Sequence, residues 1–159
     1  MLPYFLEKTG NDGPEIQSEG NFSQMVRKFL AASVLVVDDE ALIRWSLSEA
    51  LTDRGYAVTE AGDACGAVAA IERAAEPFDV VLLDYRLPDS GDLRLLATIK
   101  RLAPASRVIM ITAHNSPELA QGATALGAFR VISKPFEVES LAVLVGEARD
   151  MTGNGDKRY

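Results

Sequence analysis

Three residue types occur once each in the 159-residue chain: cysteine (Cys65), histidine (His114) and tryptophan (Trp45). One cysteine excludes an internal disulfide and a cysteine-rich zinc site. One histidine leaves no second imidazole to share a metal. No apolar run approaches the ~18–20 residues that span a bilayer. The N-terminal MLPYFLEKTG lacks a basic stretch ahead of a long apolar core, so it does not read as a secretory signal. Basic residues are outnumbered, 16 against 23 acidic, for a net charge of −7. That argues against gripping nucleic acid or an anionic membrane through a basic face. Internal repeats and low-complexity tracts are also missing. The chain is therefore expected in a reducing cytoplasm, with neither a nucleic-acid nor a membrane partner of its own.

What is present is the balance of a globular protein, 48% apolar and 25% charged. The length suits one ordinary domain with something left over. Residues 11–20, NDGPEIQSEG, are polar and rich in turn formers, and residues 1–20 are expected to be mostly extended or disordered. In NFSQMVRKFL, Phe22, Met25, Val26, Phe29 and Leu30 recur at helical spacing behind an Asn21–Gln24 capping pair. A short amphipathic helix over about 22–31 is expected, docked on its own domain or serving as a dimer contact; Met25 is also a candidate translation start. Residues 1–32 thus read as an N-terminal extension, 33–150 as the domain and 151–159 as a polar tail.

From residue 33 the pattern alternates. Val34–Val37, Val80–Leu83 and Val108–Ile111 are unbroken, mostly branched apolar runs, as in strands buried on both faces of a parallel sheet. Ala57–Glu60 and Phe129–Ser133 are weaker strands. Helical segments are expected at about 41–53, 64–75, 91–102, 117–126 and 137–149. Ile43, Leu47, Ala50 and Leu51 make the buried stripe of the first helix; Val138, Leu141, Leu144 and Val145 make that of the last. Gly55, Gly62 and Gly127 fall where helices stop or the chain turns. The alternation predicts a compact open α/β sandwich.

The chemistry lies in where polar residues stand relative to the strands. Asp38 and Asp39 follow the first run, Asp84 the third strand's run, Thr112 the fourth, and Lys134 lies just past Val131–Ile132. In a parallel sheet the strand C-termini share one edge, and ligands bind there. Three carboxylates at one edge repel each other unless a cation is bound. Oxygen ligands of this kind suit Mg²⁺. The Thr112 hydroxyl and the Lys134 ammonium suit phosphoryl oxygens. The chemistry this set favours is phosphoryl transfer to a carboxylate.

Residues 33–150 resemble the receiver domain of two-component response regulators, through VLVVDDE, VVLLDYRLPDSG, VIMITAH and VISKPF in order and spacing. The resemblance implies a flavodoxin-like (CheY-like) open five-stranded parallel sheet, order 2-1-3-4-5, with five flanking helices; that order comes from the family. It implies that Asp84 accepts a phosphoryl group from a histidine kinase or a phosphotransfer protein. Mg²⁺, with Mn²⁺ as a substitute, would be held by Asp39, Asp84 and the backbone carbonyl of Arg86, with Asp38 acting mainly through a water on the metal. Thr112, Lys134 and the backbone N–H of Ala113 would hold the phosphoryl oxygens, and the Lys134–Pro135 bond would be cis. Arg86 and His114, two residues after Asp84 and Thr112, would tune phosphate lifetime. The partner face would be the 117–126 helix, the last strand and the last helix. A homodimer through that face or through Phe22–Leu30 is a further expectation, and the downstream partner is open.

The sequence departs from the receiver pattern in two places. Val131 stands where receivers usually carry the aromatic residue that swings inward on activation. The signal is therefore expected to pass through the 112–117 loop and the 117–126 helix, or through Phe129. In the loop after the third strand, Gly91 comes one residue early, with Asp92 in its usual place. Arg86, His114 and IRWSL around Trp45 resemble receivers of enhancer-binding transcription activators; with no ATPase or DNA-binding module after residue 150, the chain is expected to be a stand-alone receiver or a receiver fragment of a larger transcriptional regulator. Two other classes fit the sequence less well. A haloacid-dehalogenase-type phosphatase needs an Asp-x-Asp pair after its first strand, where this chain has Asp38-Asp39-Glu40. A pseudo-receiver interaction module would lack some of the active-site residues. Cys65 reads as an inert small apolar residue in a helix. A receiver catalyses its own phosphorylation and dephosphorylation and is not a turnover enzyme.

Overall fold

The computed structural model describes residues 31–152; the expected helix near 22–31 falls almost wholly outside them. Five strands alternate with five helices: β1 Ser33–Val37, α1 Ala41–Thr52, β2 Ala57–Ala61, α2 Ala64–Arg73, β3 Val80–Asp84, α3 Arg94–Leu102, β4 Arg107–Thr112, α4 Pro117–Ala125, β5 Arg130–Ser133 and α5 Val138–Thr152. The strands pair in parallel in the order β2-β1-β3-β4-β5. Every strand and helix expected from residue 33 onward is present.

The apolar runs explain the layering, because alternate side chains of a strand point to opposite faces. Val34, Val36, Val80, Leu82, Ile109 and Ile111 face α1 and α5, where Leu47, Leu51, Leu141, Ala142 and Val145 close one core. Leu35, Val37, Val81, Leu83, Val108 and Met110 face the other helices, meeting Ala67, Leu95, Leu96, Ile99 and Ala123. Burying each aliphatic side chain of this size is worth about 1.5–3 kcal/mol, which is what fixes the register.

Helix ends differ from expectation where local bonding wins. The third helix begins at Arg94, not residue 91, because the Asp92 carboxylate accepts the Arg94 N–H at 2.9 Å and holds the preceding residues in a turn. The second stops at Arg73, because Ala74 already turns to extended backbone (φ −65°, ψ 130°). The last runs to Thr152, so the expected boundary at 150 falls inside a helix. Gly55 (φ 86°) and Gly127 (φ 96°) take the left-handed conformation after α1 and α4, as helix stops require. Among the described residues no helix is long and apolar enough to cross a membrane.

Candidate functional site

Register brings the polar residues together. Val37 pairs with Leu83 across β1 and β3, so the next residues, Asp38 and Asp84, stand side by side. Asp84 pairs with Ile111, and Thr112 with Ser133, which places Lys134 one step beyond the same edge. Asp84 and Thr112 are the last residues of their strands and do not follow them, so the sheet itself holds their backbones. Asp38, Asp84 and Thr112 are 1%, 5% and 3% exposed.

Polar groups so deeply buried need partners. The Lys134 ammonium donates to Asp38 Oδ2 at 3.1 Å, to Asp84 Oδ2 at 3.3 Å and to Glu40 Oε1 at 3.3 Å. Its three donors thus meet three carboxylates. Asp38 Oδ1 accepts the Glu40 N–H at 2.9 Å, which fixes the carboxylate at the entrance to α1. Asp84 Oδ1 accepts the Arg86 N–H at 3.3 Å. The Thr112 hydroxyl turns toward its own loop, donating to the His114 carbonyl at 3.3 Å and accepting the His114 N–H at 3.2 Å. The Lys134–Pro135 bond is cis.

The electrostatics follow from burial and crowding. Burial pushes the Asp84 carboxyl above the ordinary carboxylate range and the nearby Asp38 charge pushes it further; Lys134 and the Arg86 N–H only partly offset them. Burial works against the charge of Lys134, but its hydrogen bond to Asp38, the fields of Asp38 and Asp84, and Glu40 together raise its pKa.

Asp38, Asp39 and Asp84 each offer an oxygen within 4.8 Å of the others. A set of hard oxygen donors with a surplus of negative charge fits a divalent cation such as Mg²⁺. Asp39 is exposed between its two buried neighbours, leaving the cluster an open side. Arg86, Ala113 and His114 are exposed near this edge, and Val131 is half-buried against the core of β1, β3 and β4.

Two contributors escape sequence reading. Glu40 reads as a helix-opening acid, and nothing local reveals its contact with Lys134, 94 positions away. Arg44 donates from Nη1 to the Asp38 carbonyl at 2.7 Å and so braces the turn that carries the cluster. Cys65, read as an inert small apolar residue in a helix, lies in the first turn of α2 and is exposed.

Comparison with known proteins agrees with this geometry. The family model described as "Response regulator receiver domain" matches residues 34–145. The DNA-binding transcriptional regulator NtrC of Salmonella typhimurium is 38% identical over 115 residues, 72% of this chain and 24% of its own length. The nitrogen assimilation regulatory protein NtrX of Azorhizobium caulinodans is 39% identical over 121 residues, 75% of this chain and 26% of its own. The chain therefore spans about a quarter of the length of these relatives. Among solved structures, a CheY-like response regulator receiver domain protein from Methanospirillum hungatei superimposes with a TM-score of 0.72 at 32% identity, covering 77% of this chain and 96% of that one. NtrX from Brucella abortus gives 0.67 at 38% identity, covering 77% of this chain and 27% of that one. A haloacid-dehalogenase-type phosphatase is not favoured by any of this. Strand order, the motif-bearing edge and the span of the match converge on one classification: the chain belongs to the response regulator receiver domain family.

Proposed function

We propose that this protein is a phosphorylation-controlled signalling switch in which Asp84 accepts a phosphoryl group. The observation that carries the reading is the Lys134 ammonium held between two buried carboxylates, 3.1 Å from Asp38 and 3.3 Å from Asp84. A bare acidic cluster is common; one supplied with a fixed cation beside a strand-end hydroxyl is suited to phosphoryl chemistry.

In the transfer, an Asp84 carboxylate oxygen attacks the phosphorus of a phosphohistidine. The new O–P bond forms as the N–P bond breaks, and the departing imidazole nitrogen keeps the bonding pair. Asp39, Asp84 and the Arg86 carbonyl would hold Mg²⁺, or Mn²⁺ in its place, with Asp38 reaching it through water; the ion supplies positive charge to the transferring group. Lys134 stays within reach of the phosphoryl oxygens by releasing Asp84. Thr112 and the Ala113 N–H bind the remaining oxygens, which requires the Thr112 hydroxyl to leave His114. Arg86 and His114 stand at the exposed lip and limit access of hydrolytic water.

The donor is a sensor histidine kinase or a phosphotransfer protein of the cytoplasm, and the response is a change in partner binding or self-association. The NtrC- and NtrX-named relatives support a transcriptional regulator as the thing controlled. The test is incubation with Mg²⁺ and a small phosphodonor, followed by intact-mass measurement. One phosphate is expected on the wild type and none on Asp84→Asn. No uptake by the wild type, or equal uptake by the variant, would overturn the reading.

A further inference from the structure

The loop that follows Asp84 is tied to a helix it does not belong to. α2 has two carboxylates on its first turn. Asp63, the residue before the helix, accepts the Gly66 N–H at 2.6 Å. Asp89, from the β3–α3 loop, accepts the Ala64 N–H at 2.8 Å on one oxygen and the Cys65 N–H at 3.0 Å on the other. These are N–H groups that a helix cannot satisfy within itself. The two bonds hold the Asp89 carboxyl below the usual carboxylate range, so it is charged at neutral pH.

Asp89 sits at the tip of a closed turn. The Leu87 N–H donates to the Ser90 carbonyl at 2.7 Å, and the Ser90 N–H donates back to Leu87 at 3.2 Å. Leu87 is buried in the core. The turn is therefore fixed at its base by Leu87 and at its exposed tip by Asp89. Directly before it stands Arg86, whose N–H reaches Asp84 and whose carbonyl is the backbone ligand in the proposed ion set. This is also the loop in which Gly91 departs from the receiver pattern.

We propose that Asp89 is a positioning residue for the phosphoacceptor site: by gripping the first turn of α2 it holds the 85–90 loop in the shape that presents the Arg86 carbonyl and the Asp84 carboxylate together to a divalent cation. The proposal rests on the reading of Asp84 as part of a metal-assisted acceptor site.

The experiment compares Asp89→Ala, Asp89→Asn and Asp63→Ala in the full chain, by Mg²⁺ titration calorimetry, phosphate uptake from a small phosphodonor, and thermal melting. Asp63→Ala removes a cap from the same helix but leaves the loop untouched, so it reports the purely structural effect. Loss of a group that supports a metal ligand weakens affinity by about tenfold or more. Asp89→Ala is expected to weaken Mg²⁺ binding by about that factor. Asp89→Asn, which keeps one acceptor oxygen, falls between it and the wild type, and serves if the alanine variant does not fold. Asp63→Ala is expected to melt earlier with Mg²⁺ affinity unchanged. Wild-type Mg²⁺ affinity in both Asp89 variants would overturn the proposal, and so would an equal loss in Asp63→Ala. A wild type that binds Mg²⁺ but takes up no phosphate would overturn the acceptor reading alone; one that binds no Mg²⁺ would overturn both.

Discussion

Lys134 Nζ lies 3.1 Å from Asp38 Oδ2, a contact across 96 positions of sequence that joins the end of β5 to the end of β1. The Lys134 side chain is 17% exposed and that of Asp38 only 2%, so water screens the pair poorly. Removing one partner of such a pair strands the other charge. Lys134→Met is expected to cost about 2 kcal/mol, below the ~3–5 of a fully buried pair because the site opens to solvent on one side. Urea unfolding without divalent metal checks this, and added Mg²⁺ should narrow the deficit by replacing the lost positive charge.

Asp84 gives the opposite sign. Its folded-state pKa is raised above 3.8 by burial and by Asp38. The folded state therefore holds the proton more tightly than the unfolded chain does, and ionised Asp84 costs stability above its folded pKa. That cost fades as the pH falls through the folded pKa. Metal-free Asp84→Asn is expected to melt above the wild type at pH 7, with the gap closing as the pH approaches 3.8. A gap that is constant with pH, or of reversed sign, would show that Lys134 dominates the carboxylate's surroundings.

These two residues also show what the sequence makes legible. Val80–Leu83 and Val108–Ile111 are visible because strands covered on both faces must be apolar throughout, and the residue ending each run is then placed by topology alone. Lys134 follows a weaker, partly exposed strand, and is placed by its position just past Val131–Ile132. Glu40 and Asp89 are not, because each acts through a contact to another element. Glu40 reaches Lys134 at 3.3 Å, and Asp89 reaches the first turn of α2. A carboxylate in a turn looks the same in sequence whether it faces water or caps a distant helix. The helix boundaries at 94 and 152 are hidden for a similar reason: a side-chain turn at Asp92 decides the first, and at the second the Arg107 guanidinium, from another element, donates to the Met151 carbonyl at 3.4 Å.

Arg86 and His114 flank the acceptor edge and are both exposed. Each is long enough to occupy the approach of water to a phosphoryl group on Asp84 without holding that group itself. Replacing both by alanine is expected to speed decay of the phosphorylated protein severalfold while leaving the unfolding free energy within about 0.5 kcal/mol of the wild type, as for surface changes generally. The check is the loss of bound phosphate with time after the donor is removed. Unchanged decay would mean that water enters elsewhere.

The helix α4, like α2, has one buried residue, Ala123, but α2 adds half-buried Val68, Ala70 and Ile71 to the core and α4 adds no comparable side chain. Its Gly122 faces Leu93 closely enough that an added Cβ would sit 3.0 Å from Leu93 Cδ1. Two effects compete there. Alanine in a helix interior is favoured over glycine by about 1 kcal/mol, whereas a methyl group at that distance must displace its neighbour. The neighbour is the end of a flexible, half-buried side chain at the start of α3, so it can swing at little cost. Gly122→Ala is therefore expected to raise stability by up to about 1 kcal/mol. Gly122→Leu, which overfills the same contact, should lower it by about 1–3 kcal/mol. Thermal melts of the two variants decide the matter. A loosely held α4 would suit the activation route expected in the absence of a ring at Val131, which runs through the 112–117 loop and α4 or through Phe129. If alanine destabilises instead, Leu93 is fixed against α4, and the two helices move as one body.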